Sequence, residues 1–269
     1  MKPLRTVALL GVPLDHNSSY LRGPAEGPAA IRAALHCGAA NLSAESGVDF
    51  ATTGLLVDAG DVDIAEGADC FAVIRAAAAA ELARGHRLLS LGGDHSITSA
   101  LVAAHEDAFA QLSILHFDAH PDLYEEFEGN RASHASPFAR IMERGRVRQL
   151  VQVGIRTLNA HQQAQAQRFG VVMHGMDDFD PRAIVLPRGP VYLSFDLDAL
   201  DPAYAPGVSH HEPGGLSVRD ALNVIRRIEG PIVGADVVEL NPRRDVNGVT
   251  AMVAAKLVKE IGARLAGDS

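Results

Sequence analysis

Asp118, His120 and Asp122 stand two residues apart in the run Asp118-Ala119-His120-Pro121-Asp122, directly after the apolar stretch Leu112–Phe117. Asp196 and Asp198 repeat that spacing after Val191–Phe195. His95 follows Gly92-Gly93-Asp94 after Arg87–Leu91, and Glu239-Leu240-Asn241-Pro242 closes the run Ile232–Val238. Residues two apart share one face of an extended chain, so strand geometry continued through these clusters would line up their donor atoms. A lone Asp-x-Asp is common in turns and caps, and a histidine after two glycines suits a tight turn. Three ligand-type residues at alternate positions have no comparable packing explanation. Converging carboxylates repel one another, and desolvation would raise their pKa values until some protonated, unless bound cations resolve the conflict. Carboxylates mixed with imidazoles, with no thiolate, favour Mn²⁺ or a similar divalent ion over structural zinc. Six such side chains, His95, Asp118, His120, Asp122, Asp196 and Asp198, suit two ions that share carboxylates and activate a water for hydrolysis.

These clusters can meet only if their parent segments are neighbours. Strand-length apolar runs at Thr6–Val12, Gly54–Asp58, Arg87–Leu91, Leu112–Phe117, Gln149–Val153, Gly170–Met173, Val191–Phe195 and Ile232–Val238 alternate with segments of helical period. The helical segments are Gly27–His36, Cys70–Arg84, Ile97–Glu106, Ser136–Arg144, Ala160–Arg168, Val218–Ile228 and Thr250–Leu265. Alternation of this kind predicts an α/β fold around one parallel sheet. Open parallel sheets gather ligands beyond the carboxyl ends of their strands, where all four polar clusters lie. Ser217 and Asn159 are expected N-caps. Asp118–Pro137 and Asp201–Leu216, polar and rich in Gly and Pro, are expected loops, and loops of this length in a compact domain are usually either functional or mobile. No linker or repeat divides the chain, which reads as a single domain over 1–269.

Composition narrows the partners. Twenty-four Lys and Arg against 33 Asp and Glu give a net charge of −9, with no long basic run. Nucleic acid and anionic membrane both require a basic surface, so neither is expected as the main partner. The most Ala-rich segment, Phe71–Leu82, carries Arg75 and Glu81 and is too short to span a bilayer. Two cysteines, Cys37 and Cys70, cannot supply a disulfide framework, which makes a reducing, cytoplasmic setting the expectation.

Gly-Gly-Asp-His-Ser at 92–96, Asp-Ala-His-x-Asp at 118–122 and Ser-Phe-Asp-x-Asp-x-x-Asp-Pro at 194–202 occur in an order that resembles the ureohydrolases, the arginase and agmatinase family. The resemblance runs from Gly11-Val12-Pro13 to Asn241-Pro242. Phe127–Asn130 with Ser133–Ser136, Gln152–Arg156 and Ala205–Gly215 resemble its plant arginase branch. This resemblance implies a three-layer α/β/α fold with a mostly parallel eight-stranded sheet, and a centre of two Mn²⁺ per chain. His95, Asp118, Asp122 and Asp196 would hold one ion, and His120, Asp118, Asp196 and Asp198 the other, with Asp118 and Asp196 bridging. It further implies that a metal-bridging hydroxide cleaves L-arginine to urea and ornithine. Glu239 would hold the guanidinium, Asp122 would take a proton, and His134 would deliver one to the leaving nitrogen. A homo-oligomer, trimeric or hexameric, is implied as well.

The substrate's tail is the point of departure. Tyr124-Glu125-Glu126-Phe127 replaces the Asn and Ser pattern of animal and bacterial arginases. The plant-like pattern implies Asn130 and Ser133 as tail contacts. His211 stands where many relatives carry Gly-Thr-Gly-Thr-Pro, and either it or His210 is a candidate pocket residue. Agmatine, cleaved to urea and putrescine, or another guanidino acid is therefore the alternative substrate. A zinc amidohydrolase or deacetylase would need no guanidinium-binding acid such as Glu239. A non-catalytic metal-binding member would be free to lose a ligand, and none is missing.

Overall fold

Seven consecutive buried residues, Ile232–Val238, form a strand because an apolar run of this length, rich in β-branched residues, can be covered on both faces only inside a parallel sheet. The same reasoning holds for the other buried runs, whereas the two outermost strands, Leu56–Asp61 and Val172–Gly175, are only partly covered. In the computed structural model, which describes residues 4–267, β1 (Val7–Val12), β2 (Leu56–Asp61), β3 (Arg87–Gly92), β4 (Ser113–Phe117), β5 (Gln149–Ile155), β6 (Val172–Gly175), β7 (Val191–Asp196) and β8 (Ile232–Val238) form one sheet. Residues 1–3 and 268–269, the two ends of the expected 1–269 unit, lie outside the described residues. Strand order is β2-β1-β3-β8-β7-β4-β5-β6, and every pairing is parallel, where a mostly parallel sheet was expected.

The helices are α1 (Gly27–Leu35), α2 (Phe50–Thr53), α3 (Cys70–Ala83), α4 (Thr98–Ala108), α5 (Pro137–Glu143), α6 (Ala160–Phe169), α7 (Val218–Arg226) and α8 (Val249–Ala266). Alternation along the strands sends Leu89, Leu91, Phe117, Phe195 and Val237 to one face, where Ile31 of α1, Leu222 of α7 and Leu257 of α8 cover them. Leu88, Ile114, Leu150 and Tyr192 face the other way, against Ile74 of α3, Leu101 of α4, Phe138 of α5 and Ala166 of α6. The result is the three-layer α/β/α arrangement. Ser217 caps α7 through a reciprocal box with Asp220, and Asn159 caps α6 by accepting from the Gln162 N–H at 3.0 Å.

Strands β2 and β6 start two residues later than the sequence suggests, for one reason. Gly54 and Gly170, expected to begin β2 and β6, are left-handed residues (φ 63° and 64°) that close α2 and α6. Helix α2, four residues capped by Asp49, is too short to show a period and has no counterpart in the sequence reading. Among the described residues no helix is long and apolar enough to cross a membrane.

Packing behind the central strands is tight enough to test. A Cβ on Gly234 of β8 would sit inside the van der Waals envelope of His105 Nε2, and that imidazole is fully buried, edge-on to Tyr192. Gly234→Ala is expected to cost about 2–3 kcal/mol, lowering Tm by roughly 5–10 °C, and His105→Ala in the same chain to restore part of the loss. Burial also pushes the pKa of His105 down from 6.5 to about 4. The unfolded chain therefore binds more protons in that range, so stability present above pH 6.5 declines as pH falls toward about 4. Denaturation curves of His105→Gln should show a shallower decline across the same window.

Candidate metal centre and its cavity

The four polar clusters leave the carboxyl ends of β3, β8, β7 and β4, the four adjacent strands at the middle of the sheet. Contrary to the expectation from the spacing, strand geometry does not continue through them. β4 stops at Phe117, and Leu197–Ala199 is a turn of 3₁₀ helix. Local hydrogen bonds achieve the convergence instead. Asp118 Oδ1 accepts the His120 N–H at 2.6 Å, and Asp196 Oδ1 accepts the Asp198 N–H at 2.8 Å, curling each Asp-x-Asp or Asp-x-His step inward. Asp94 caps the turn that presents His95 by accepting the Ser96 N–H at 3.0 Å. Gly93 is required there because a Cβ would collide with the Leu14 backbone, whose carbonyl accepts the Asp94 N–H at 2.7 Å.

His95 Nδ1 lies 3.1 Å from Asp118 Oδ2, 3.1 Å from Asp122 Oδ2 and 3.2 Å from Asp196 Oδ2. His120 Nδ1 lies 3.2 Å from Asp118 Oδ1 and 3.1 Å from Asp198 Oδ2. All six predicted ligand side chains thus come together in two lobes, with Asp118 reaching both. Asp196 makes its contacts in the His95 lobe and with the Asp198 N–H. Five of the six residues are buried, and His120 is partly exposed.

The electrostatics call for positive charge. Burial and the neighbouring Asp118 push Asp122 up to about 7. Asp196 and Asp198 are also raised, first by burial. Asp118 moves the other way: burial would raise it, but the imidazoles of His116, His120 and His95 hold it well below the carboxylate range. His116, which itself groups with His95 and Asp118, has no atom to spare. Its Nε2 lies 2.8 Å from Asp118 Oδ2, and its Nδ1 accepts from Gln152 Nε2 at 2.9 Å. Burial holds it neutral, at about 4, so it orients Asp118.

His95 supplies the test of whether a cation fits. Asp236, buried on β8, accepts from Tyr192 Oη at 2.7 Å, Thr98 Oγ1 at 2.9 Å and Ser194 Oγ at 2.7 Å. With its proton committed to Asp236, Ser194 Oγ must accept from His95 Nε2, 2.9 Å away. Against the cost of burial, Asp118, Asp122 and Asp196 hold the His95 pKa well above its ordinary value, so the position demands positive charge, and in the neutral imidazole that a metal ion requires, Nδ1 carries a lone pair. It is buried without a hydrogen-bond partner, although three carboxylate oxygens surround it. A lone pair among carboxylates is repulsive unless a cation sits between them, and hard oxygen donors with imidazole suit a divalent ion.

Beside this cluster is a cavity of about 230 Å³, lined in part by Asp122, His134, Asp196, Asp198 and Glu239. Asp122 and Glu239 adopt positive φ, 51° and 65°, a conformation that costs non-glycine residues roughly 1–2 kcal/mol and recurs where side chains must be aimed. Glu239 Oε1 accepts the His95 backbone N–H and lies 2.9 Å from His134 Nδ1, while Oε2 is buried and unpartnered. His134 Nε2 lies 2.9 Å from Ser19 Oγ, which accepts its N–H when the ring is charged. Burial lowers the pKa of His134, but Glu239 overrides it and raises the value to about 9.

Three expected tail residues do not reach the cavity. Asn130 binds the Ala132 N–H and Asn17, Ser133 accepts the Ala135 N–H, and exposed His211 faces the Pro206 carbonyl. His210 lines the cavity instead, together with Ser19, Tyr124, Thr157, Gln162 and Glu212. His210 and Glu212 share one loop, Gln162 belongs to α6, and Ser19, Tyr124 and Thr157 come from three other segments, so no common spacing marks the set. Ser194 and Asp236, polar residues inside otherwise apolar strand runs, did carry a signal.

The sequence model of the arginase family matches residues 5–263. The chain is 49% identical over 277 aligned residues to "Arginase 1, mitochondrial" of Arabidopsis thaliana, covering 97% of this chain and 81% of that protein. It is 38% identical to the N(1)-aminopropylagmatine ureohydrolase of Thermus thermophilus, covering 94% and 87%. Among solved structures, arginase from Medicago truncatula superposes with a TM-score of 0.92 at 44% identity, covering 98% and 89%. Plant relatives carry mitochondrial or chloroplastic/mitochondrial names, which overturns the cytoplasmic expectation. A low cysteine count says only that no disulfide framework exists, and reducing compartments are not confined to the cytosol.

If the Asp236–Ser194–His95 chain fixes the ligand nitrogen, Ser194→Ala should weaken Mn²⁺ binding about 10- to 100-fold in calorimetric titration, while the metal-free protein loses about 1–3 kcal/mol of stability as His95 Nε2 and Asp236 each lose a buried partner. Chelator treatment of the intact chain should lower Tm, by an amount that grows with the metal concentration it removes.

Proposed function

Because the chain belongs to the arginase family, we propose that it is a manganese-dependent ureohydrolase that hydrolyses L-arginine to urea and ornithine, with residues 1–269 serving as one domain. Ureohydrolase activity follows from the family and from relatives matched over nearly the whole chain. The observation that carries the finer reading is the cluster itself, where His95 Nδ1 presents a lone pair to Asp118, Asp122 and Asp196 while Asp118 also faces His120. His95, Asp118, Asp122 and Asp196 would hold one Mn²⁺, and His120, Asp118, Asp196 and Asp198 a second. When bound, such ions supply Lewis-acid charge and lower the pKa of water toward neutrality.

The protein's own groups account for the remaining steps. Glu239 receives the guanidinium at Oε2, the oxygen left free by His95 and His134, through charge-assisted hydrogen bonds. Asp122, whose Oδ2 lies at the His95 lobe and which lines the cavity, takes up the proton lost from the attacking water as the tetrahedral carbon forms. His134, held between Glu239 and Ser19 at the cavity wall, gives a proton from its imidazole to the leaving nitrogen, and the C–N bond breaks to urea and the free amine. A residue held at about 9 is charged at neutral pH and can donate.

Agmatine is the second reading, favoured by one observation: among the described residues, no Lys or Arg lines the cavity to receive the α-carboxylate of arginine. Arginine leads because the plant arginases share more of the sequence than the aminopropylagmatine enzyme. With Mn²⁺ present, the protein should release urea from L-arginine faster than from agmatine at equal concentration. Asp118→Ala should abolish release, and His134→Ala should reduce kcat about 10²-fold or more. A folded, Mn²⁺-loaded protein that releases urea from neither compound contradicts the proposal.

A further inference from the structure

The reading above leaves the far end of the substrate without a partner, and the inference drawn here rests on that reading. Every carboxylate lining the cavity except one is already engaged. Asp122, Asp196 and Asp198 belong to the metal cluster, and Glu239 Oε1 is taken by His95 and His134. The buried, unpartnered Glu239 Oε2 already marks this cavity as a site for a cation. Glu212 stands apart from these. Its side chain is 38% exposed, and its nearest charged neighbour is His120 Nε2 at 3.9 Å, beyond hydrogen-bonding distance. No Lys or Arg pairs with it among the described residues.

The Glu212 backbone, by contrast, is fixed. Arg156 donates to the Glu212 carbonyl from Nε at 3.0 Å and from Nη2 at 2.5 Å, and the same Nη2 donates to the Asp198 carbonyl at 2.7 Å. One guanidinium therefore ties the segment that carries Glu212 to the turn that carries a cluster carboxylate. Two neutral polar groups of the lining are engaged elsewhere: Thr157 Oγ1 donates to the Ala119 carbonyl at 3.1 Å, and the Tyr124 hydroxyl accepts from Asn159 Nδ2 at 2.5 Å.

We propose that Glu212 binds the ammonium group at the distal end of the substrate. The cavity would then hold two cations, a guanidinium at Glu239 and an amine at Glu212. It would select guanidino compounds by that amine, whether or not a carboxylate accompanies it. Arg156 is the residue that positions Glu212.

The test compares Glu212→Gln with the parent, both Mn²⁺-loaded, on four compounds. L-Arginine and agmatine carry the distal ammonium, whereas 5-guanidinopentanoate and butylguanidine lack it. The variant should lose about 10- to 100-fold in kcat/KM on the first two, mainly through KM, and change little on the others. Calorimetry supplies a readout that does not depend on turnover. The parent should bind L-ornithine more tightly than 5-aminopentanoate, and Glu212→Gln should erase that preference. A uniform loss on all four compounds would mean that Glu212 serves His120 and would overturn the assignment, as would no loss on any. Urea release by the parent from none of the four would instead overturn the ureohydrolase reading, and this inference with it.

Discussion

Carboxylates of Asp118, Asp122, Asp196 and Asp198 are gathered at the edge of a sheet with almost no access to water. Left to themselves they would repel, and burial would force some to take up protons. The surrounding structure bears on how that charge is arranged and balanced. Imidazoles of His95 and His120 sit among the oxygens, His116 pins Asp118 from behind, and backbone N–H groups of residues 119, 120 and 198 hold the remaining lone pairs. The carboxylates hold His95 and His120 above their ordinary pKa despite burial, but two imidazolium charges offset at most two of the four carboxylates, and an excess of negative charge remains. That excess, together with the outward lone pair of His95, is what makes a pair of divalent cations the natural complement.

The fold serves this arrangement through strand order. Placing β3, β8, β7 and β4 side by side brings four segments separated by up to 144 residues to one edge, so that the His95 N–H meets Glu239 Oε1. Close packing keeps the edge in register. Gly93 lets the β3 turn lie against Leu14, and Gly234 makes room for His105, whose neighbour Tyr192 supplies one of the three hydroxyls on Asp236. Rigidity of this kind keeps the donor atoms close to where a metal needs them.

Much of this was legible in the sequence, because both the strand pattern and the ligand spacing are local signals. Apolar runs gave the eight strands, and Asp-x-His-x-Asp with Asp-x-Asp gave the cluster. Spacing alone does not reveal the geometry behind it: capping turns at Asp118 and Asp196, not continued strands, bring the donors together. Tail residues were less legible. Asn130 and Ser133 lie near the right place in sequence, yet their side chains spend their hydrogen bonds on the loop that carries His134. His210 and His211 differ by one position, and only the path of the loop decides which of them faces the cavity. Glu212 and Arg156 come from different loops and have no shared spacing by which to recognise them.

The central claim is that two cations balance the buried carboxylates. Anomalous diffraction at the manganese edge from crystals grown with Mn²⁺ tests it most directly. The account predicts two peaks, one among His95, Asp118, Asp122 and Asp196 and the other beside His120, Asp118 and Asp198. No peak at either position, or a single ion held elsewhere in the chain, would contradict it.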